Sequence, residues 1–410
     1  MPNRWNIAIA GVVMQIALGA VYAWSVFRIP LTKLFGWSIP QVTLAFTIAI
    51  FVLGFAAFAG GLWMRRAGPR PVAMAAGTLY GLGVFLASQT NGHLWWLYLS
   101  YGVMAGTGLG LGYIVPVATL VKWFPDRRGM ITGIAVAGFG AGALITAPVA
   151  TTLIGRVGAP QTFAVLGTFY FIAVTSAGWF MQDPPRDYRP SKVTLAVSRR
   201  TPADQEFTLP EAIRSWQWYG LWAVLFLNTT AGIAIISQAA PMAQEIAGAD
   251  AAQGAALVGI IAIANGSGRF FWAWLSDAIG RRTVFLLMFP IQAVVFLLLP
   301  SIHAFGTFTM LCCVILLCYG GGFGTMPAFA ADYFGAEHVG SIYGLMLTAW
   351  GCAGVLGPTL IAVLRQTTGG YGQALSAIGG LMLVSTVIPA LVTPPSTKAV
   401  SAVAPLGVSS

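Results

Sequence analysis

Twelve apolar stretches, each long enough to cross a bilayer, follow one another along the chain. They begin near Ile7, Val42, Pro71, Leu94, Gly129 and Gln161 and, after a polar break, near Tyr219, Ala252, Thr283, Gly306, Val339 and Gly372. A segment in hydrocarbon has no water for its N–H and C=O groups, so it closes its own hydrogen bonds as a helix. Gly and Pro occur freely within the stretches, as neighbouring membrane helices allow. Composition removes the water-soluble alternative: at 57% hydrophobic and 8% charged residues, a 410-residue chain lacks the polar surface to cover a globule. The expected class is an all-α membrane protein with twelve transmembrane helices. Met1–Trp5 leads straight into the first span with no A-x-A-like site, so no cleaved signal peptide is expected.

The net charge of +10 raises the question of nucleic acid, and the placement of the charges answers it. Sixteen of the 21 Lys and Arg fall at the termini or in even-numbered loops, among them Arg65, Arg66, Arg70, Arg127, Arg128, Arg281 and Arg282. Arg28, Lys33, Arg156 and Arg365 fall on the other side, and Arg269 lies inside a span. This asymmetry is the positive-inside pattern, which places both termini in the cytoplasm. No nucleic-acid partner is expected. The partner is the lipid bilayer, and short loops and compact termini point to a plasma (bacterial inner) membrane. The four cysteines, Cys312, Cys313, Cys318 and Cys352, lie within spans without zinc-ligand spacing and read as small packing residues.

The polar break, about Asp183–Arg214, divides six spans from six. The expected organisation is a first six-helix half (1–182), a cytoplasmic linker (183–214) with a short surface helix near Leu209–Ser215, a second half (215–394) and a tail (395–410). The halves repeat. Gly68 and Arg70 return as Gly280 and Arg282, and Pro116, Gly129 and Gly133 return as Pro327, Gly340 and Gly344, at nearly constant offset. Two pseudo-symmetric six-helix halves are a transporter architecture, with substrate held between them near mid-membrane.

In AIANGSGRFF (Ala262–Phe271) a full positive charge, Arg269, stands where hydrocarbon is expected. Placing it there costs about 2.5–3.5 kcal/mol on insertion scales. All eleven acids fall elsewhere by sequence: nine on the cytoplasmic side, Glu245 and Asp250 in the outer loop between spans 7 and 8. An arginine without an acid, facing a cavity, is an anion site. Its planar fork donates two parallel hydrogen bonds to a carboxylate and keeps its charge at any working pH. GTGLGLG (Gly106–Gly112) lies inside a span and is no nucleotide loop, and neither a P-loop nor HExxH occurs. No cofactor, metal or enzymatic acid–base pair is expected.

The loops RRAGPR (Arg65–Arg70) and SDAIGRR (Ser276–Arg282) resemble the loop signature of the major facilitator superfamily. The second keeps its acid, Asp277, while the first carries Arg65 there. Arg65, Arg66, Arg70, Asp277, Arg281 and Arg282 are the gating residues this implies. WFPDRRGMITGIAVAGFGAG (Trp123–Gly142) resembles the fifth-helix signature of monocarboxylate transporters and of the oxalate–formate antiporter. In both, a substrate-binding arginine on the eighth helix stands at the position of Arg269. The oxalate carrier has a second cation on helix eleven, a lysine, where SIYGLMLTAWGCAG (Ser341–Gly354) puts Trp350. One cation and one aromatic fit one carboxylate. Asn265 takes the place of an aspartate in the animal transporters and is expected to bind substrate or orient Arg269. The resemblance adds Tyr22, Tyr113, Tyr319 and Phe323 as cage aromatics; Asn228, on span 7, is a further polar candidate. Together these imply secondary transport of a small monocarboxylate such as L-lactate or pyruvate, with protons as co-substrate in symport, or carboxylate exchange as the alternative.

Overall fold

The structure, a computed structural model, describes residues 3–185, 188 and 206–395. Most of the expected linker and nearly all of the tail lie outside the described residues. Twelve helices have the length and composition of membrane spans: Arg4–Phe35, Ile39–Ala67, Pro69–Ala87, Leu94–Trp123, Arg128–Val157, Ala159–Gly178, Trp216–Ala247, Ala252–Ile279, Arg281–Ser301, Phe305–Phe334, Val339–Thr368 and Tyr371–Leu391. They are numbered here span 1 to span 12. Each starts within three residues of its expected position. The short surface helix is Leu209–Arg214, closed at its start by a Thr208–Glu211 capping box. No strand occurs among the described residues.

Local chemistry sets where the spans begin and end. Ser38 with Gln41, and Asp250 with Gln253, form capping boxes at the starts of spans 2 and 8. Spans 2 and 3 are joined by Gly68 at φ +78°, and spans 8 and 9 by Gly280 at φ +92°. A side chain is strained at those angles, so the repeat in sequence is also a repeat in backbone.

The packing has the same two-fold character. Span 1 packs on span 5, span 2 on span 4 and span 3 on span 6; span 7 packs on span 11, span 8 on span 10 and span 9 on span 12. The halves meet along spans 5 and 8, spans 2 and 11, and spans 5 and 10. Large side chains such as Phe169, Ile172 and Val384 stay exposed, an apolar surface that lipid would cover. Five spans depart from the regular α-helix: span 1 tightens to a 3₁₀ turn at Ala20–Trp24, span 4 widens to a π-helix at Tyr98–Ala105, span 9 ends in a 3₁₀ turn at Leu299–Ser301, span 11 breaks at Leu347 and span 12 breaks at Thr386. Two of these irregular turns place candidate site residues, Tyr22 within that of span 1 and Trp350 just after that of span 11.

Candidate substrate site

Arg269 is fully buried in span 8, at the seam between the halves. Two contacts squeeze its backbone into place. Gly320 and Gly324, one turn apart on span 10, lie flat against the carbonyls of Asn265 and Arg269, where a Cβ would collide with either oxygen. On the other side Gly140 of span 5 touches Gly266, and its Cβ would stand 3.6 Å from the Arg269 side chain. The run CYGGGFG is therefore a seat for span 8.

The guanidinium reaches across the seam. Nε donates to Asn265 Oδ1 at 3.3 Å, Nη1 to the Val136 carbonyl at 3.4 Å, and Nη2 to Tyr22 Oη at 3.5 Å. These lengths lie beyond the usual 2.7–3.2 Å for such bonds. No carboxylate forms an ion pair with Arg269 among the described residues. The rings of Phe323 and Phe139 lie on it, at 5.1 and 5.6 Å. Five N–H donors thus face three distant neutral oxygens and two π faces.

Around this charge the structure assembles the aromatics that the resemblance implied. Trp350 is the hub, with ring centres 4.7 Å from Phe323, 5.7 Å from Tyr113 and 6.5 Å from Tyr22. Tyr319 packs on Phe323 at 5.3 Å. Tyr113, Tyr319, Phe323 and Trp350 are buried, whereas Tyr22 is partly exposed. The Tyr113 hydroxyl is buried without a hydrogen-bond partner. Sequence reasoning missed three members. Phe139 touches Tyr22 and Tyr113 at 5.3 Å each, Val136 supplies a carbonyl, and Tyr343 of span 11 lies beside Tyr113. Phe139 and Val136 stand inside the fifth-helix motif, which was the available signal.

Asn228 is placed elsewhere. Its amide donates to the Cys318 and Tyr319 carbonyls at 3.4 and 3.2 Å, and its oxygen accepts from Gln292 at 2.9 Å. Both ends are spent joining spans 7, 9 and 10, so it acts as a helix–helix tie behind the site rather than as a contact of the Arg269 cluster. Of the cysteines, Cys312 and Cys318 are packed inside, whereas Cys352 is exposed, contrary to a uniform packing role.

The loop residues gather at the basic end. Asp277 caps span 5 of the other half, its oxygens accepting from Gly129 N at 3.0 Å and Met130 N at 2.7 Å. Arg281 bridges Asp277 at 2.6 Å and Asp332 at 3.0 Å, and Arg128 reaches Asp332 across the seam at 3.1 Å. Arg282 donates to the Pro389 and Ala390 carbonyls of span 12. Arg65 and Arg66 are exposed and outside every ion pair among the described residues, and Arg70 stacks on Trp179. One half therefore latches onto the other, and the matching position of the first half does not.

The Major Facilitator Superfamily profile matches residues 7–358, with a second overlapping match at 223–408. The chain belongs to the Major Facilitator Superfamily. It is a multi-pass membrane transporter of that family, and a solved structure agrees in fold: the chain is similar to the transporter FucP in its outward conformation, with a TM-score of 0.71 over 95% of this chain and 99% of that one at 12% identity. Among curated relatives it is 26% identical over 372 residues to the oxalate:formate antiporter of Oxalobacter formigenes, covering 90% of this chain and 86% of that protein. It is 24% identical over 397 residues to apicoplast pyruvate carrier 1 of Toxoplasma gondii, covering 82% of this chain and 71% of that one.

Proposed function

We propose that this superfamily member carries a small monocarboxylate, such as L-lactate or pyruvate, across the plasma membrane by alternating access, with both termini in the cytoplasm. The observation that carries the reading is Arg269: a fully buried guanidinium whose partners are neutral oxygens at 3.3–3.5 Å. A carboxylate arriving past Tyr22 replaces these long bonds with short, charge-assisted ones, each worth about 1.5–3 kcal/mol. It also cancels a charge lodged between two bodies that must slide past one another. Residues 1–182 and 215–394 are those bodies. Trp350, Phe323 and Phe139 wall the site, and one cation among them favours one carboxylate with a small organic body over a dianion. Tyr113 Oη and Asn265 are placed to meet a hydroxyl or keto oxygen. Similarity to a pyruvate carrier supports the substrate class.

Coupling to protons fits this pocket through the substrate itself. Among the described residues the cluster around Arg269 contains no acid, and a carboxylic acid with a pKa of about 4 in water can accept the travelling proton. The second reading, obligatory exchange, is favoured by similarity to the oxalate:formate antiporter. Radiolabelled L-lactate uptake into proteoliposomes separates the two. Entry into empty vesicles that grows with an inward proton gradient supports symport; entry only into preloaded vesicles, indifferent to the gradient, replaces it with exchange. Arg269→Ala is expected to abolish lactate binding, and near-normal affinity in that variant would overturn the site.

A further inference from the structure

At the basic end the first half carries a groove of about 440 Å³, with Ala67–Pro71 on one wall and Met181–Asp183 on the other. We propose that this groove is a binding site for the phosphate headgroup of an anionic phospholipid, held by Arg70 and approached from the surrounding lipid.

The second half provides the comparison. Arg282, at the position matching Arg70 in the repeat, spends its guanidinium on the last carbonyls of span 12. The corresponding end of span 6 has no such need, because the N–H groups of Phe180 and Met181 turn back onto the Ala177 and Gly178 carbonyls. In addition, Arg70 lies over the ring of Trp179 at 5.0 Å. No hydrogen bond satisfies the Arg70 guanidinium among the described residues, and its Nε is buried without a partner. Among the described residues, the same position in the repeat therefore holds a consumed cation in one half and an available one in the other.

The surroundings select the ligand. Asp183 is the acid of the wall, and Lys122 holds it at 2.9 Å, so its repulsion toward an anion is reduced. Arg65 and Arg66, one turn back on span 2, add exposed positive charge. Substituting Arg65 for the acid found at Asp277 turns this loop from a latch into a cationic surface. Trp63, Trp179 and Phe180 are exposed beside it, the residues expected where chain meets headgroup. A guanidinium stacked on an aromatic and open along its edge matches a phosphate diester, and a basic pocket between helix ends at this depth is where anionic headgroups bind. The flanking rings leave acyl chains an apolar path that a free phosphate would not use.

The test is lipid retention by the purified full chain in detergent, read by native mass spectrometry after addition of phosphatidylglycerol or phosphatidylcholine. Wild type and Arg127→Gln, which removes an exposed charge of the same end away from the groove, are expected to retain phosphatidylglycerol in preference to phosphatidylcholine. Arg70→Gln is expected to weaken that retention about tenfold, the loss matching one charge-assisted hydrogen bond. Equal retention by wild type and Arg70→Gln overturns the proposal, as does an equal loss in Arg127→Gln, which would make the effect one of general charge. Displacement of the lipid from wild type by millimolar inorganic phosphate overturns the lipid assignment in favour of a soluble anion. Should Arg70→Gln not fold, judged by its heat-unfolding midpoint, Trp179→Leu carries the test: reduced retention supports the site, and unchanged retention overturns it.

Discussion

A single guanidinium sets the chemistry of the seam. Arg269 and Asn265 are one turn apart on span 8, and the structure uses that spacing directly, with Asn265 Oδ1 holding Nε and leaving the two Nη groups toward the first half. An aspartate there would neutralise Arg269; the asparagine orients it without doing so. Under the proposed function, Trp350 sets how many anionic groups the pocket accepts. Trp350→Lys is expected to add a second cation and turn the preference from lactate toward oxalate, as measured by competition of each acid against labelled lactate. Unchanged selectivity would show that Trp350 does not set the charge count. At this scale the sequence was informative for charge and poor for contact. Arg269 stood out because hydrocarbon makes a charge conspicuous, whereas Phe139 and Tyr343 resemble any other aromatic in a chain with 25 Phe and 12 Tyr. Asn228 ties neighbouring helices in the structure, since an intramembrane amide satisfies a neighbouring helix as readily as a ligand.

Helices position these side chains through close backbone contact. Gly324 of span 10 faces the Arg269 carbonyl, and a backbone oxygen cannot yield as a flexible side chain can. Gly324→Ala is expected to push span 8 aside, at a stability loss of about 1–3 kcal/mol, and to weaken lactate binding while Arg269 remains present. A thermal-shift series with and without lactate reads both effects. Outside the membrane, the surface helix Leu209–Arg214 offers a pH signature. Hydrogen bonds from the Thr208 hydroxyl and backbone hold the Glu211 carboxyl below its usual value, aided by charge on His338 and Arg214. A depressed folded pKa contributes stability that is present above the unfolded value, about 4.3, and lost as pH falls through the folded one. Amide exchange across Leu209–Arg214, corrected for intrinsic rates, is therefore expected to rise on acidification and to be pH-independent in Glu211→Gln. The sequence led to a short surface helix near Leu209–Ser215, and the structure adds its capping box; the close glycine seats were visible only as composition, since a Gly-rich span does not say which neighbour it touches.

Across the whole molecule the halves are fastened at the basic end. Asp277 sits on the first N–H groups of span 5, and Arg128–Asp332 is the ion pair that crosses the seam among the described residues. A carboxylate at a helix start contributes about 0.3–1 kcal/mol at the surface and up to about 2 kcal/mol when partly buried. Asp277→Asn is accordingly expected to shift the population severalfold toward opening at this end. Faster labelling of a cysteine introduced at Ala135, by an impermeant maleimide applied from the basic side, measures the shift, and an unchanged rate would remove Asp277 from the gate. Because Arg65 stands at the matching position of the first half, the closure is one-sided, and neutralising Arg65 is not expected to reproduce the effect.

The sequence by itself determined the twelve spans, their duplication and the presence of a buried cation, because a bilayer punishes every uncompensated charge and every unpaired backbone group within a single segment. The repeat at nearly constant offset also announced which loops correspond. What only the tertiary structure decided is which of two equivalent residues is consumed and which is left available. Arg282 meets the carbonyls of span 12 while Arg70 meets an indole, and Asp277 finds a helix start that Arg65 does not. These differences arise from contacts between segments far apart in the chain. The same applies at the centre, where span 8 supplies the charge, span 5 a carbonyl and a ring, and spans 1, 4, 10 and 11 the walls. Local sequence fixes each helix, but only their packing fixes what Arg269 can touch.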